Sequence, residues 1–479
     1  MSARSAAAIV ALAALVTITS AVPSHPAAQP RGRGYGYLFP ALQARSECFL
    51  PYAADGGLDP AIQDLLKALA HEIDAPSPAE GESSIPAGFT YLGQFIIHDL
   101  SFDGTPSVTR PIDVAALENL RTPALDLDSL YGRGPLDQPY LYERVVRSDL
   151  AGPRLLAGHR LNAADLPRDT AGRITGRALI GDPRNDDNLI VSQLHLAFIA
   201  FHNAVVDRLA PRITDRARLF QAARAEVTRH YQWIVLHEYL PTIADPAVVA
   251  AVLATPCNEF CDRGVYMPVE FSMAGFRFGH SMVRPSYAIR DAKTATFDQM
   301  RNEFTFRNPL VAGVAPGWEV DWRRFFWTGA RPENANRAMK IGTHVVTGLP
   351  TKISLLKAYA ARIPSGQCVA GALGVPSLTS EQLLAGNGAS VLRQHDGLLL
   401  ERAPLWYYVL KEAEAFESGG RLGPLGSRLV TEVLVNLVRA ERGSILDVPG
   451  WRPTLGTRRG NFHMLDLLCV GGSLSPCPK

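Results

Sequence analysis

Residues Gly93–Asp103 read GQFIIHDLSFD. His98 sits inside an apolar run and Asp99 follows it directly. Read as a helix over Thr90–Leu100, the stretch puts Gln94 and His98 on one face, with Ile97 beside them. Asp99 is turned from His98 by about 100°. One helix can then present Gln94 and His98 to one pocket and hand Asp99 to a second site. The plain alternative is a core histidine beside a solvated acid.

Three other stretches bear on the choice. RTPALDLDSLYG (Arg121–Gly132) places Thr122, Ala124, Asp126 and Asp128 at alternate positions, which in an extended loop point the same way. With Asp99 they offer three carboxylates, a hydroxyl and a backbone carbonyl, a hard-oxygen set suited to Ca²⁺; acidic loops are also commonly just solvated. GDPRNDDNLIVSQLH (Gly181–His195) holds Arg184 in a polar turn before an apolar helix, and Asp187 at the helix start, where acids are favoured. Asp186, Asp187 and Asn188 can equally be capping residues. AGFRFGHSMVRP (Ala274–Pro285) sets His280 in an apolar context, three residues after Arg277.

The bulk properties bound the reading. The chain has 479 residues, 47% of them hydrophobic, enough for a large core. Its formal net charge of +2 gives no electrostatic case for nucleic acid. Arg4, the apolar run Ala6–Val16 and the small residues Thr19, Ser20 and Ala21 read as a secretory signal peptide over 1–21. Beyond it no run of about 18 apolar residues occurs, so no integral membrane span is expected in the mature chain. An N-terminal arm and first helix are expected over 22–85, and one domain over 86–479. Six cysteines in an exported chain permit disulfides. Cys257/Cys261 and Cys469/Cys477 are the pairs closest in sequence, which leaves Cys48 and Cys368.

Helical periodicity dominates. It marks Asp64–Ile73, Leu189–Leu209, Ala217–Leu240, Pro376–Leu384, Trp406–Glu417 and Ser427–Arg439. Strand alternation is scarce, so a large, mainly α single domain is expected.

The four stretches, in this order, resemble the animal-type haem peroxidase (peroxidase–cyclooxygenase) superfamily, especially its bacterial branch, over about Tyr35–Asp447. The resemblance implies haem b buried between central helices, and bound Ca²⁺. His98 corresponds to the distal histidine, Gln94 to the distal glutamine and Arg184 to the distal arginine. His280 corresponds to the proximal ligand of the haem iron, and Arg277 to an arginine near a haem propionate. Asp99, Thr122, Ala124 (by its carbonyl), Asp126 and Asp128 correspond to the calcium ligands. The implied activity is a secreted peroxidase. It reduces hydrogen peroxide and oxidises a small reducing substrate: a phenol, an aromatic amine or an easily oxidised anion. His98 would act as base and then acid, beside the fixed charge of Arg184.

Three departures from the superfamily matter. Ile97 stands where mammalian members carry an ester-forming acid, and Asn188 stands where they carry a sulfonium-forming methionine. Only Asp187 remains for a covalent link, so at most one ester is expected, and chloride oxidation is not. Ser354 replaces the asparagine that accepts a hydrogen bond from the proximal histidine. Arg277 occupies the position of the radical-forming tyrosine of fatty-acid oxygenases. Two alternatives stay open: a haem-dependent fatty-acid oxygenase, and a catalytically inactive peroxidase-fold adhesion or matrix protein.

Overall fold

Nine helices of eight or more residues supply most of the regular structure among the described residues: α1 (Pro60–Ile73), α2 (Gly88–Leu100), α3 (Leu189–Leu209), α4 (Arg216–Ile234), α5 (Pro246–Ala254), α6 (Thr351–Ala360), α7 (Gly366–Leu373), α8 (Leu405–Glu417) and α9 (Pro424–Ala440). The structure is a computed structural model that describes residues 34–75, 81–104, 108–145, 150–158, 164–169, 176–256, 265–305, 313–327, 329 and 331–477. The expected signal peptide, the start of the arm, and Cys257 and Cys261 lie outside these residues. Among the described residues strands occur only as short two-stranded pairs, such as the antiparallel Ser286–Arg290 with Lys293–Thr296.

The central helix is α3. The Asn188 side chain caps it by accepting from the N–H groups of Ile190 and Val191. Leu194, Ala197, Phe198, Phe201 and Val205 are buried, and so are His195, His202 and Asn203 on its other sides. It is the one helix among the described residues long and apolar enough to cross a membrane, yet most of it lies inside the protein. It packs against α2 and α4, with Phe95 of α2 stacked on Phe198 at a centroid distance of 4.5 Å. A glycine permits the close approach on the other side of α2: a Cβ at Gly93 would lie 2.6 Å from the Tyr239 hydroxyl.

Two helices differ from expectation. The segment expected as one helix over Ala217–Leu240 ends its α-helical part at Ile234 and passes through a π-helical turn, Val235–Tyr239. In place of a helix over Pro376–Leu384, the chain forms α7 earlier, capped by Ser365, and only a short turn of helix at Ser380–Leu383. Gly374, at φ 65°, closes α7 in the left-handed conformation that favours glycine.

Disulfides join Cys48 to Cys368 and Cys469 to Cys477. The first spans 320 residues and ties the N-terminal segment to α7. The pairing of neighbours holds for Cys469 and Cys477.

Candidate active site

A cavity of about 460 Å³ opens between α2, the turn before α3 and the segment Gly275–His280. Gln94, Ile97, His98, Arg184, Asp187, Arg277 and His280 all line it. Its volume falls in the roughly 300–1,000 Å³ range of ligand and cofactor pockets.

On the α2 side, burial and then the neighbouring Arg184 charge push the His98 pKa down to about 4, so the imidazole is neutral near pH 7. Its Nδ1 lies 2.9 Å from the Asn185 side-chain oxygen. Arg184 donates to the carbonyls of Ser101 (2.8 Å) and His98 (2.9 Å). These are carbonyls at the end of α2, where a cation is favoured. Arg184 also pairs with buried Asp182 at 2.7 Å and lies over the Phe102 ring. Burial alone would raise Asp182, but the Arg184 charge and hydrogen bonds hold it at about 2. Gln94 accepts a 3.0 Å bond from Asn188 Nδ2.

On the opposite side, His280 ends a 3₁₀ segment, Gly275–His280, that follows a π-helical turn. Burial, then the charge of Arg277, lowers its pKa to about 3. The ring stands edge-on to buried Trp406, 5.8 Å between centroids. Its Nδ1 is buried without a hydrogen-bond partner. Two neutral imidazoles thus line one cavity from separate elements.

A family model described as animal haem peroxidase matches residues 108–319. Heme peroxidase 2 of Caenorhabditis elegans is 24% identical over 287 residues, covering 55% of this chain and 39% of that protein. Peroxidase A from Dictyostelium discoideum aligns in structure with a TM-score of 0.58 at 17% identity, over 86% of each chain. Together these matches support the peroxidase–cyclooxygenase superfamily. The fatty acid alpha-dioxygenase of Oryza sativa shares this superfamily fold at a TM-score of 0.55 and 15% identity, over 79% of this chain and 74% of that one. The chain spans less than half the length of the curated relatives it matches.

Three carboxylates of the second predicted site also come together. Carboxylate oxygens of Asp99, Asp126 and Asp128 lie within 4.8 Å of one another. Burial, then Asp128 and Asp126, raises Asp99 well above the ordinary carboxylate range, and burial with Asp126 brings Asp128 to about 6. Asp99 also accepts from Leu127 N (3.1 Å), Ser129 N (3.2 Å) and the Ser129 hydroxyl (2.9 Å). The loop is not extended as expected. Leu127 turns at φ 60°, and Thr122 folds back so that its N–H and hydroxyl donate to Asp128. Ala124 is buried, its N–H bonded to the Thr122 carbonyl.

Ser354 departs from the expectation that it could accept from His280. Its hydroxyl accepts a 2.8 Å bond from Arg277 and donates to the Pro350 carbonyl, so those bonds engage it. Asn188, in place of the methionine, is taken up by capping α3 and holding Gln94.

Sequence reasoning missed several groups. Lys357 and Asp103 form a 2.9 Å ion pair in the cavity wall. Asn185 links His98 to His195. Asp165, Arg168 and Asp186 form a buried ion triad under the same turn. The sequence offers His195 only as a core or surface histidine of α3, and it is buried.

Proposed function

We propose that this chain is a secreted haem peroxidase that uses hydrogen peroxide to oxidise phenols, aromatic amines or easily oxidised anions such as bromide and iodide. The observation that carries the reading is His280. It lines the cavity and its Nδ1 is buried without a partner, across the same cavity from a neutral His98 held beside Arg184. These residues fit haem. His280 would hold the iron through its other nitrogen, and Arg277 would face a propionate. When bound, haem supplies the redox chemistry, taking oxidising equivalents from peroxide and passing them to the donor.

The chain's own residues do the rest. Neutral His98 takes the peroxide proton and returns it to the departing oxygen, a base-then-acid role typically worth ~10²–10⁴-fold. Arg184 adds positive charge that is already anchored by Asp182 and two carbonyls, so little reorganisation accompanies the reaction. Asn188 donates to Gln94 Oε1, which leaves the Gln94 amide N–H groups to orient water or a small anion. Asp187 lines the cavity at the one ester position that the resemblance leaves, since Ile97 cannot form one. Asp99, Asp126 and Asp128, with the Thr122 hydroxyl and the Ala124 carbonyl, would hold Ca²⁺. The cation would offset the mutual repulsion of the three carboxylates and fix the helix that carries His98. The Cys48–Cys368 and Cys469–Cys477 disulfides support export.

The test is an absorption spectrum of the haem-loaded protein before and just after one equivalent of hydrogen peroxide. A spectrum that changes and then returns on adding guaiacol or bromide supports the reading; failure to take up haem, or haem that only bleaches, overturns it. One observation favours a second reading, lipid oxygenation. Tyr91 lines the cavity with its hydroxyl buried beside Tyr287 and could serve where Arg277 cannot. Oxygen uptake with a long-chain fatty acid distinguishes it.

A further inference from the structure

Behind His98 a single amide joins two buried imidazoles. Asn185 Oδ1 lies 2.9 Å from His98 Nδ1, and Asn185 Nδ2 lies 3.0 Å from His195 Nδ1. All three residues are buried. They come from three segments: α2, the 3₁₀ turn Pro183–Asp186, and α3. An amide oxygen only accepts and an amide NH₂ only donates. The His98 nitrogen facing the oxygen must therefore carry the proton, and the His195 nitrogen facing the NH₂ must be bare.

We propose that Asn185 and His195 are positioning residues that set the tautomer of His98. Asn185 holds the His98 proton on Nδ1, so that Nε2 keeps its lone pair. His195, through its bare Nδ1, holds the amide of Asn185 the right way round. With the amide reversed, Nδ2 would face His98 and force the proton onto Nε2. The imidazole could then donate into the cavity but could not accept a proton there.

Two observations support the device. Burial pushes the His195 pKa to about 3, so it stays neutral and keeps an acceptor for Asn185. Its Nε2 is buried without a partner. Fixing His98 as an acceptor leaves the last donor in this chain of bonds with nowhere to go, which gives a reason for an otherwise unexplained buried group. The turn that carries Asn185 is itself gripped: Asp186, the next residue, is bound by Arg168 at 2.7 Å.

The inference deepens the proposed role of His98 as a base and rests on that reading for its consequence; the tautomer does not depend on it. The test is long-range ¹H–¹⁵N spectroscopy of histidine-labelled full-length protein near pH 7, with zinc replacing iron if haem is present. The His98 and His195 signals are assigned by their loss in His98→Gln and His195→Gln. The expected result is a proton on His98 Nδ1 and on His195 Nε2; a proton on His98 Nε2 overturns the proposal. Asn185→Leu should move the His98 proton toward Nε2 and lower peroxide turnover roughly 10–100-fold. Asn185→Asp, whose carboxylate only accepts, should keep the His98 proton on Nδ1, shift the His195 proton to Nδ1 and restore most of the turnover. An unchanged His98 tautomer in Asn185→Leu overturns the proposal. The expected tautomer in a haem-loaded protein without peroxide turnover would defeat the peroxidase reading and leave this inference standing.

Discussion

The Arg277 guanidinium donates a 2.8 Å hydrogen bond to the Ser354 hydroxyl, which in turn donates to the Pro350 carbonyl. The bond ties the segment that ends in His280 to α6. Ser354→Ala removes the acceptor for a partly buried cation, and hydrogen bonds to charged groups contribute about 1.5–3 kcal/mol. The variant should unfold at lower urea with an unchanged slope. An unchanged midpoint would show that Arg277 finds another partner.

The carboxylates of Asp99, Asp126 and Asp128 crowd one another, so a divalent cation should stabilise the fold. Stripping the protein with a chelator should lower its melting temperature, and Ca²⁺ should restore it. At 100 times the dissociation constant the gain is about 2.7 kcal/mol. Asp126→Asn removes one charge while Asp99 keeps its bonds to Leu127 and Ser129. It should weaken the Ca²⁺ response more than it alters the cation-free melting temperature. A melting temperature indifferent to Ca²⁺ would count against the site.

Arg168 bridges Asp165 and Asp186 at 2.7 Å each, with all three side chains about 1% exposed. Arg168→Met would leave two buried carboxylates without their counter-charge. Breaking a buried pair in this way costs about 3–5 kcal/mol. Chemical denaturation reads the loss directly, and a change under about 1 kcal/mol would mean the carboxylates reach water.

Glu412 is buried and accepts from the N–H groups of Leu425 (2.8 Å) and Gly426 (2.9 Å), in the first turn of α9. Burial raises its pKa to about 7 against these bonds, which lower it. The folded protein therefore keeps this proton between about pH 4.5 and 7, where the unfolded chain releases it. The stabilisation is complete below the lower value and is lost as pH rises through the upper one. Glu412→Gln cannot titrate. The stability difference between the original and the variant should fall with rising pH across that window, by at most about 3 kcal/mol. A flat difference would show an ordinary carboxyl.

The sequence made some of this legible, for physical reasons. The bounds of α3 could be read because Asn188 is a capping residue standing directly before an apolar run. The turn angle of a helix permits His98 and Asp99 to face different sites and the resemblance supplies their duties; the structure places them in the cavity wall and the carboxylate cluster respectively. The Thr122–Asp128 stretch was misread as extended because nothing in its composition announces a left-handed leucine at position 127. Short α7, GQCVAGAL, hides because glycine and alanine weaken its periodicity. The link from Asn185 to His195 was out of reach, since it joins side chains from separate segments that only packing brings together. The role of Ser354 was obscured likewise: a missing asparagine can be seen in sequence, but the arginine that claims the serine cannot.

The bond between Cys48 and Cys368 closes the polypeptide into a ring of 320 residues' separation. Every residue lining the cavity lies within that ring except Tyr35. A protease that cuts any one peptide bond between the two cysteines therefore opens the ring without dividing the molecule. The pieces that carry His98 and His280 stay joined until the disulfide is reduced. A nicked sample would run as one band without reductant and as two with it, and such a cut would leave both halves of the site in one molecule.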